Sequence, residues 1–105
     1  MNIPESVKIG GITYKVEITD RLTTGTSSDA EIAFDEAVIR LTPREPQYMC
    51  QVLLHEIVHA VYNFLGYSEH DEVKVDRIAQ LAFSVIVDNP ALFAEVAESE
   101  QKNSL

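Results

Sequence analysis

His55-Glu56-Ile57-Val58-His59 sets two imidazoles four residues apart, with a glutamate beside the first. On an α-helix that spacing puts both rings on one face, one turn apart, where their nitrogens can converge on a single tetrahedral Zn²⁺. Glu56 falls along the edge of that face, near enough to act as a base on a water without being a ligand itself. The motif interrupts the apolar run Val52-Leu53-Leu54 and continues through Ile57-Val58. Polar groups set into a buried stretch cost free energy unless something satisfies them. The alternative, a pair of boundary histidines on an amphipathic helix, leaves that cost unexplained.

A catalytic zinc site takes a third protein ligand and leaves the fourth position open. The candidates are Glu69, His70, Asp71, Glu72 and Asp76, just past Gly66. Two helices joined by a short turn run back antiparallel, so residues equally far from the turn face each other. Glu72 follows Gly66-Tyr67 by about as much as His59 precedes it, and it flanks a stripe containing Val75 and Ala79. Glu72 is therefore the expected third ligand, with His70 as the alternative. Read without the motif, Glu72 is a solvated acid at a helix start, where the dipole favours it. Asp76 lies one turn further on the same face. A ligating histidine normally donates its other N–H to a carboxylate or carbonyl, and Asp76 is placed to receive that bond from His55. Its competing role is an exposed partner for Lys74 or Arg77.

The elements that must position these groups are legible from periodicity. Val7-Lys8-Ile9 and Ile12 to Ile18 alternate around Gly10-Gly11, a hairpin pattern that puts Ile12, Tyr14, Val16 and Ile18 on one face. Residues 20–30 are polar and turn-rich. Glu31 to Phe34 and Val38 to Leu41 suggest a second hairpin, turning at Asp35-Glu36. Thr42-Pro43-Arg44-Glu45 matches a helix start, with Pro46 as the alternative first helical residue. The helix then runs from about Gln47 to Leu65, with Cys50, Leu53, Leu54, Ile57, Val58, Val61 and Leu65 as its apolar face. Gly66 stops it. Ser68 is the expected cap of a second helix from Glu69 to Asp88, burying Val75, Ile78, Ala79, Ala82, Val85 and Ile86. After Asn89-Pro90, residues 91–96 suggest a short helix and residues 98–105 a frayed tail. Strands first and helices after predict one α+β domain over residues 1–97, a small antiparallel sheet packed on the zinc-binding helix pair.

Composition narrows the partners. The chain has 105 residues, enough for one domain. Its 8 Lys and Arg against 17 Asp and Glu give a formal charge of −9. That excludes the basic patch that nucleic acid requires and disfavours an anionic membrane surface. Cys50 is the single cysteine, so neither an internal disulfide nor a cysteine zinc cluster can form. No apolar run approaches the roughly 18 to 20 residues of a membrane span. The N-terminus, Met1-Asn2-Ile3-Pro4-Glu5, does not resemble a signal peptide, and the expected address is a reducing cytoplasm.

His55-Glu56-Ile57-Val58-His59 followed by Glu72-Val73-Lys74-Val75-Asp76 resembles the zincin metallopeptidases, which carry HExxH on one helix and ExxxD on the next. More narrowly, Leu54-His55-Glu56 with Glu72, Val75, Asp76, Ile78 and Ala79 is similar to the ImmA/IrrE-type metallopeptidases and their small phage- and prophage-encoded relatives. The likeness covers roughly residues 47–90. The chain departs from it in the short stretch between His59 and Glu72, and in carrying Asp76 where asparagine is common. The resemblance implies a short sheet packed on the zinc helix, an edge strand that pairs with extended substrate, and cleavage of a specific regulatory protein. On that reading His55, His59 and Glu72 hold Zn²⁺, Glu56 is the base, Asp76 supports a ligand, and Tyr62, Tyr67 or His70 could stabilise the oxyanion. The expected partner is a protein or peptide substrate, and no oligomeric state is implied. The competing expectation is a zincin-like zinc module that works by docking a protein partner; the retained Glu56 favours the enzyme.

Overall fold

In the computed structural model, which describes residues 3–23 and 29–103, Gly10 and Gly11 take φ of 58° and 86°. These left-handed angles close a tight hairpin between β1 (Ser6–Ile9) and β2 (Ile12–Ile18), with Ile9 opposite Ile12 and Val7 opposite Tyr14. A second hairpin joins β3 (Ala30–Ala33) to β4 (Val38–Leu41) through residues 34–37. The two hairpins do not make a wholly antiparallel sheet. The strand order is β1-β2-β4-β3, and β4 runs parallel to β2, with Val16 beside Ile39 and Ile18 beside Leu41. The cause is the crossing from β2 to the far edge. The chain enters there as β3, and the tight turn returns β4 to the centre in the same direction as β2. Part of the polar loop expected over residues 20–30 falls at 24–28, outside the described residues.

The period-2 alternation separates two faces. Tyr14, Ile39 and Leu41 are buried on one of them and cluster with Val7, Val16 and Ile32. On the other, Arg40 spans three strands, its Nε 3.3 Å from Glu17 Oε2 and its Nη1 2.9 Å from Glu31 Oε2.

Helix α1 (Pro46–Phe64) covers the apolar face. It begins at the alternative start, with Glu45 rather than Thr42 as cap; the Glu45 carboxylate accepts from Tyr48 N at 3.3 Å. Thr42 is engaged elsewhere, its N and Oγ1 donating to the Asp29 carbonyl at 2.9 and 3.1 Å, which keeps the chain extended past β4. Met49, Leu53 and Ala60 repeat at helical spacing and complete the main cluster. At the far end of α1, the Phe64 ring lies where a Cβ on Gly10 would stand, so the β1–β2 turn packs against it through bare backbone.

Gly66, at φ 89°, reverses the chain, and Tyr67 N donates to the Tyr62 carbonyl at 3.0 Å. Residues 67–70 are thereby folded back on α1, so α2 (Glu72–Asp88) starts three residues later than Ser68 capping would place it. Asp71 is the cap, its Oδ1 accepting from Val73 N and Lys74 N at 3.0 and 3.3 Å. Helix α3 (Pro90–Asn103) continues well beyond residue 96, through the segment expected to fray.

The layers run sheet, α1, α2; α2 touches α1 and α3 but no strand. Only Val75 and Ala79 of α2 are therefore buried. Ile78, Val85 and Ile86, expected inside, remain 44%, 38% and 41% exposed. The α+β class holds, with a mixed four-stranded sheet followed by three helices. Among the described residues, no helix is long and apolar enough to cross a membrane.

Candidate metal centre

The stripe of α1 that faces the sheet is Met49, Leu53, Glu56 and Ala60, and the adjoining stripe carries His55 and His59 toward α2. Antiparallel packing then pairs His59 with Glu72, and His55 with both Glu72 and Asp76. The Glu72 carboxylate lies between the two rings. Its Oε2 is 3.2 Å from His55 Nε2 and its Oε1 is 3.1 Å from His59 Nε2. His55, His59 and Glu72 each offer one ligand atom, all within 4.8 Å of one another, close enough to hold a metal ion. Among the described residues no other such group occurs.

Both outer imidazole nitrogens face polar groups. His55 Nδ1 lies 3.5 Å from Asp76 Oδ1, while Asp76 Oδ2 accepts from Gln80 Nε2 at 2.9 Å. His59 Nδ1 lies 2.7 Å from His70 Nδ1, and the two rings meet edge to edge, their centroids 5.0 Å apart with 21° between their planes. His70, the alternative third ligand, thus meets His59 on the side away from Glu72.

Burial differs across the site. The His59 side chain is 12% exposed against 25% for His55. Desolvation pushes the His59 pKa below the ordinary imidazole value, with the Glu72 carboxylate pulling the other way, so burial favours the neutral, lone-pair-bearing ring.

Glu56 is 8% exposed, and burial is the main reason its carboxyl is pushed up from 4.5 to about 7; His55 opposes the shift and the Glu72 and Glu31 carboxylates reinforce it. It opens into a cleft of about 590 Å³ lined also by Ile32, Phe34, His55, His59 and Glu72. Strand β3 forms one wall and is an edge of the sheet. Tyr48 stands on the rim, its hydroxyl donating to Asp29 Oδ2 at 2.5 Å.

His55, Glu56, His59, Glu72 and Asp76 therefore all line one cleft. The oxyanion candidates Tyr62, Tyr67 and His70 do not; they pack together behind His59, with the Tyr62 and His70 rings 5.2 Å apart. Periodicity also passes over Tyr48, whose place on the rim comes from its contact with Asp29, 19 residues earlier.

Compared with protein-family models, with curated proteins and with solved structures, the chain matches none.

Proposed function

We propose that the protein is a zinc-dependent metallopeptidase of the zincin kind, similar to the ImmA/IrrE-type enzymes, with His55, His59 and Glu72 as ligands. The donor set fits: two imidazoles and a carboxylate converge, and the side facing the cleft is left to solvent and substrate. Zn²⁺, when bound there, supplies Lewis acidity that polarises a carbonyl and acidifies water.

The observation that carries the peptidase reading is Glu56. It is a buried carboxyl with a pKa near neutrality, and it faces the cleft. A carboxylate so placed can take a proton from an attacking water and return it to the leaving amine. The edge strand β3 supports an extended peptide as substrate, since backbone groups along an unpaired edge can add a strand. A specific regulatory protein in a phage-related, cytoplasmic setting is the proposed target.

A zinc-holding docking module is the second reading, favoured by the apolar surface of Ile78, Leu81, Val85 and Phe93 between α2 and α3. Glu56→Gln separates the two. An enzyme keeps its zinc and fold and loses about 10²- to 10⁴-fold in peptide cleavage. Unchanged cleavage, or a cellular effect of the wild type that survives the substitution, would falsify the peptidase reading.

A further inference from the structure

His59 and His70 approach through like nitrogens, and that contact has a direction. Two imidazole nitrogens 2.7 Å apart must share one proton, so one ring donates and the other accepts. The far nitrogen of His70 decides which. His70 Nε2 lies 3.1 Å from the Tyr67 carbonyl, an acceptor only, so Nε2 carries the hydrogen. A neutral His70 then presents a lone pair at Nδ1 and accepts from His59 Nδ1–H. His59 is left with its lone pair at Nε2, the atom beside Glu72. The reverse arrangement would put a proton on His59 Nε2 and block it as a donor.

The surroundings hold His70 in that pose. Its ring lies edge to edge with His59 and nearly coplanar with it, with Tyr62 edge-on at 5.2 Å and Phe34 edge-on at 6.4 Å. Tyr67 N is itself anchored to the Tyr62 carbonyl, so the acceptor at the end of the chain is tied to α1. Among the described residues, the contact at His55 Nδ1 is longer, with Asp76 Oδ1 at 3.5 Å.

We propose that His70 is a positioning residue, a link from the Tyr67 carbonyl to His59 that holds His59 in the Nδ1–H tautomer and aims its Nε2 at the metal. The role in metal binding rests on the zinc reading above; the tautomer does not. Long-range ¹H–¹⁵N correlation spectra of the metal-free protein read the tautomers directly. The expected result is His70 protonated on Nε2 and His59 on Nδ1; His59 protonated on Nε2 would overturn the proposal. Zn²⁺ affinity, measured by competition with a chromophoric chelator, reads the consequence. His70→Phe keeps an aromatic ring at this position without an acceptor and should weaken zinc binding by about 10- to 100-fold. His70→Asn, whose Oδ1 can stand where Nδ1 does, should recover most of that loss. Wild-type affinity in a folded His70→Phe variant overturns the link, and should that variant fail to fold, the wild-type tautomer spectrum decides. A wild-type protein that takes up no zinc overturns the metal reading alone, leaving the spectrum to judge the link.

Discussion

The two sides of α1 hold their neighbours by different means. Toward the sheet, Met49, Leu53 and Ala60 close over Tyr14, Ile39 and Leu41 in one apolar cluster, interrupted only by Glu56 at its edge. Toward α2, the apolar contact shrinks to Val58, Val75 and Ala79, with Leu54 and Tyr62 beside them. Polar groups occupy the rest of that interface: His55, His59, Glu72 and Asp76. Full burial of a large aliphatic side chain contributes about 1.5–3 kcal/mol. On α2 only Val75 is large, aliphatic and fully buried. The lesson is a division of labour, with the sheet and α1 carrying the stability and the site deciding how firmly α2 is held.

The largest effect tests the strong side. Leu53→Ala should cost about 2–5 kcal/mol in chemical denaturation, the range for a truncated core leucine. A loss below about 1 kcal/mol would mean that the sheet–α1 contact is not the main core. The weak side should respond to metal. On the zinc reading, free Zn²⁺ at a thousand times its Kd adds about 4 kcal/mol of stability, and a chelator removes it. Amide exchange should then slow most in α2, because on that reading both sides of the interface supply ligands. Protection spread evenly over the sheet would break the comparison.

The carboxyl at the boundary gives a pH signature in the metal-free protein. Glu56 titrates near 7 in the fold against 4.5 as the ordinary value. Between those values the folded chain keeps a proton that the unfolded chain has lost, so this group makes stability fall as pH rises through the window. The penalty is fully present above pH 7 and is on the order of 3 kcal/mol. Glu56→Gln should melt higher than wild type at pH 8 and nearly with it at pH 4. Equal shifts at both pH values would remove burial of this charge as the cause. The smallest effect belongs to the outer face of α2. Leu81 is 67% exposed, so Leu81→Ser should change stability by no more than about 0.5 kcal/mol in denaturant. A larger loss would show that this face is covered.

Where the sequence reading departs from the structure, the departures share a cause. Ile78, Val85 and Ile86 have the spacing of a buried stripe, but burial needs a covering surface, and among the described elements α2 contacts only α1 and α3. Thr42 has the chemistry of a cap, yet Asp29 engages it first. Residues 67–70 belong to the chain reversal because Gly66 folds them over the last turn of α1, leaving Asp71 to cap α2. The motif marks Glu56 as a candidate base; its burial is not readable there, since that depends on the sheet beneath α1.

What the sequence determined by itself is local geometry. A helix repeats every 3.6 residues wherever it forms, so His55 and His59 share a face whatever surrounds them. Two adjacent glycines supply the positive φ of the first turn, and Gly66 ends α1 for the same reason. Only the tertiary structure decided that β4 lies parallel to β2, that Glu72 reaches both Nε2 atoms, and that His70 meets His59 from behind. These are contacts between segments, and their geometry follows from how sheet, α1 and α2 stack, which no single stretch of sequence encodes.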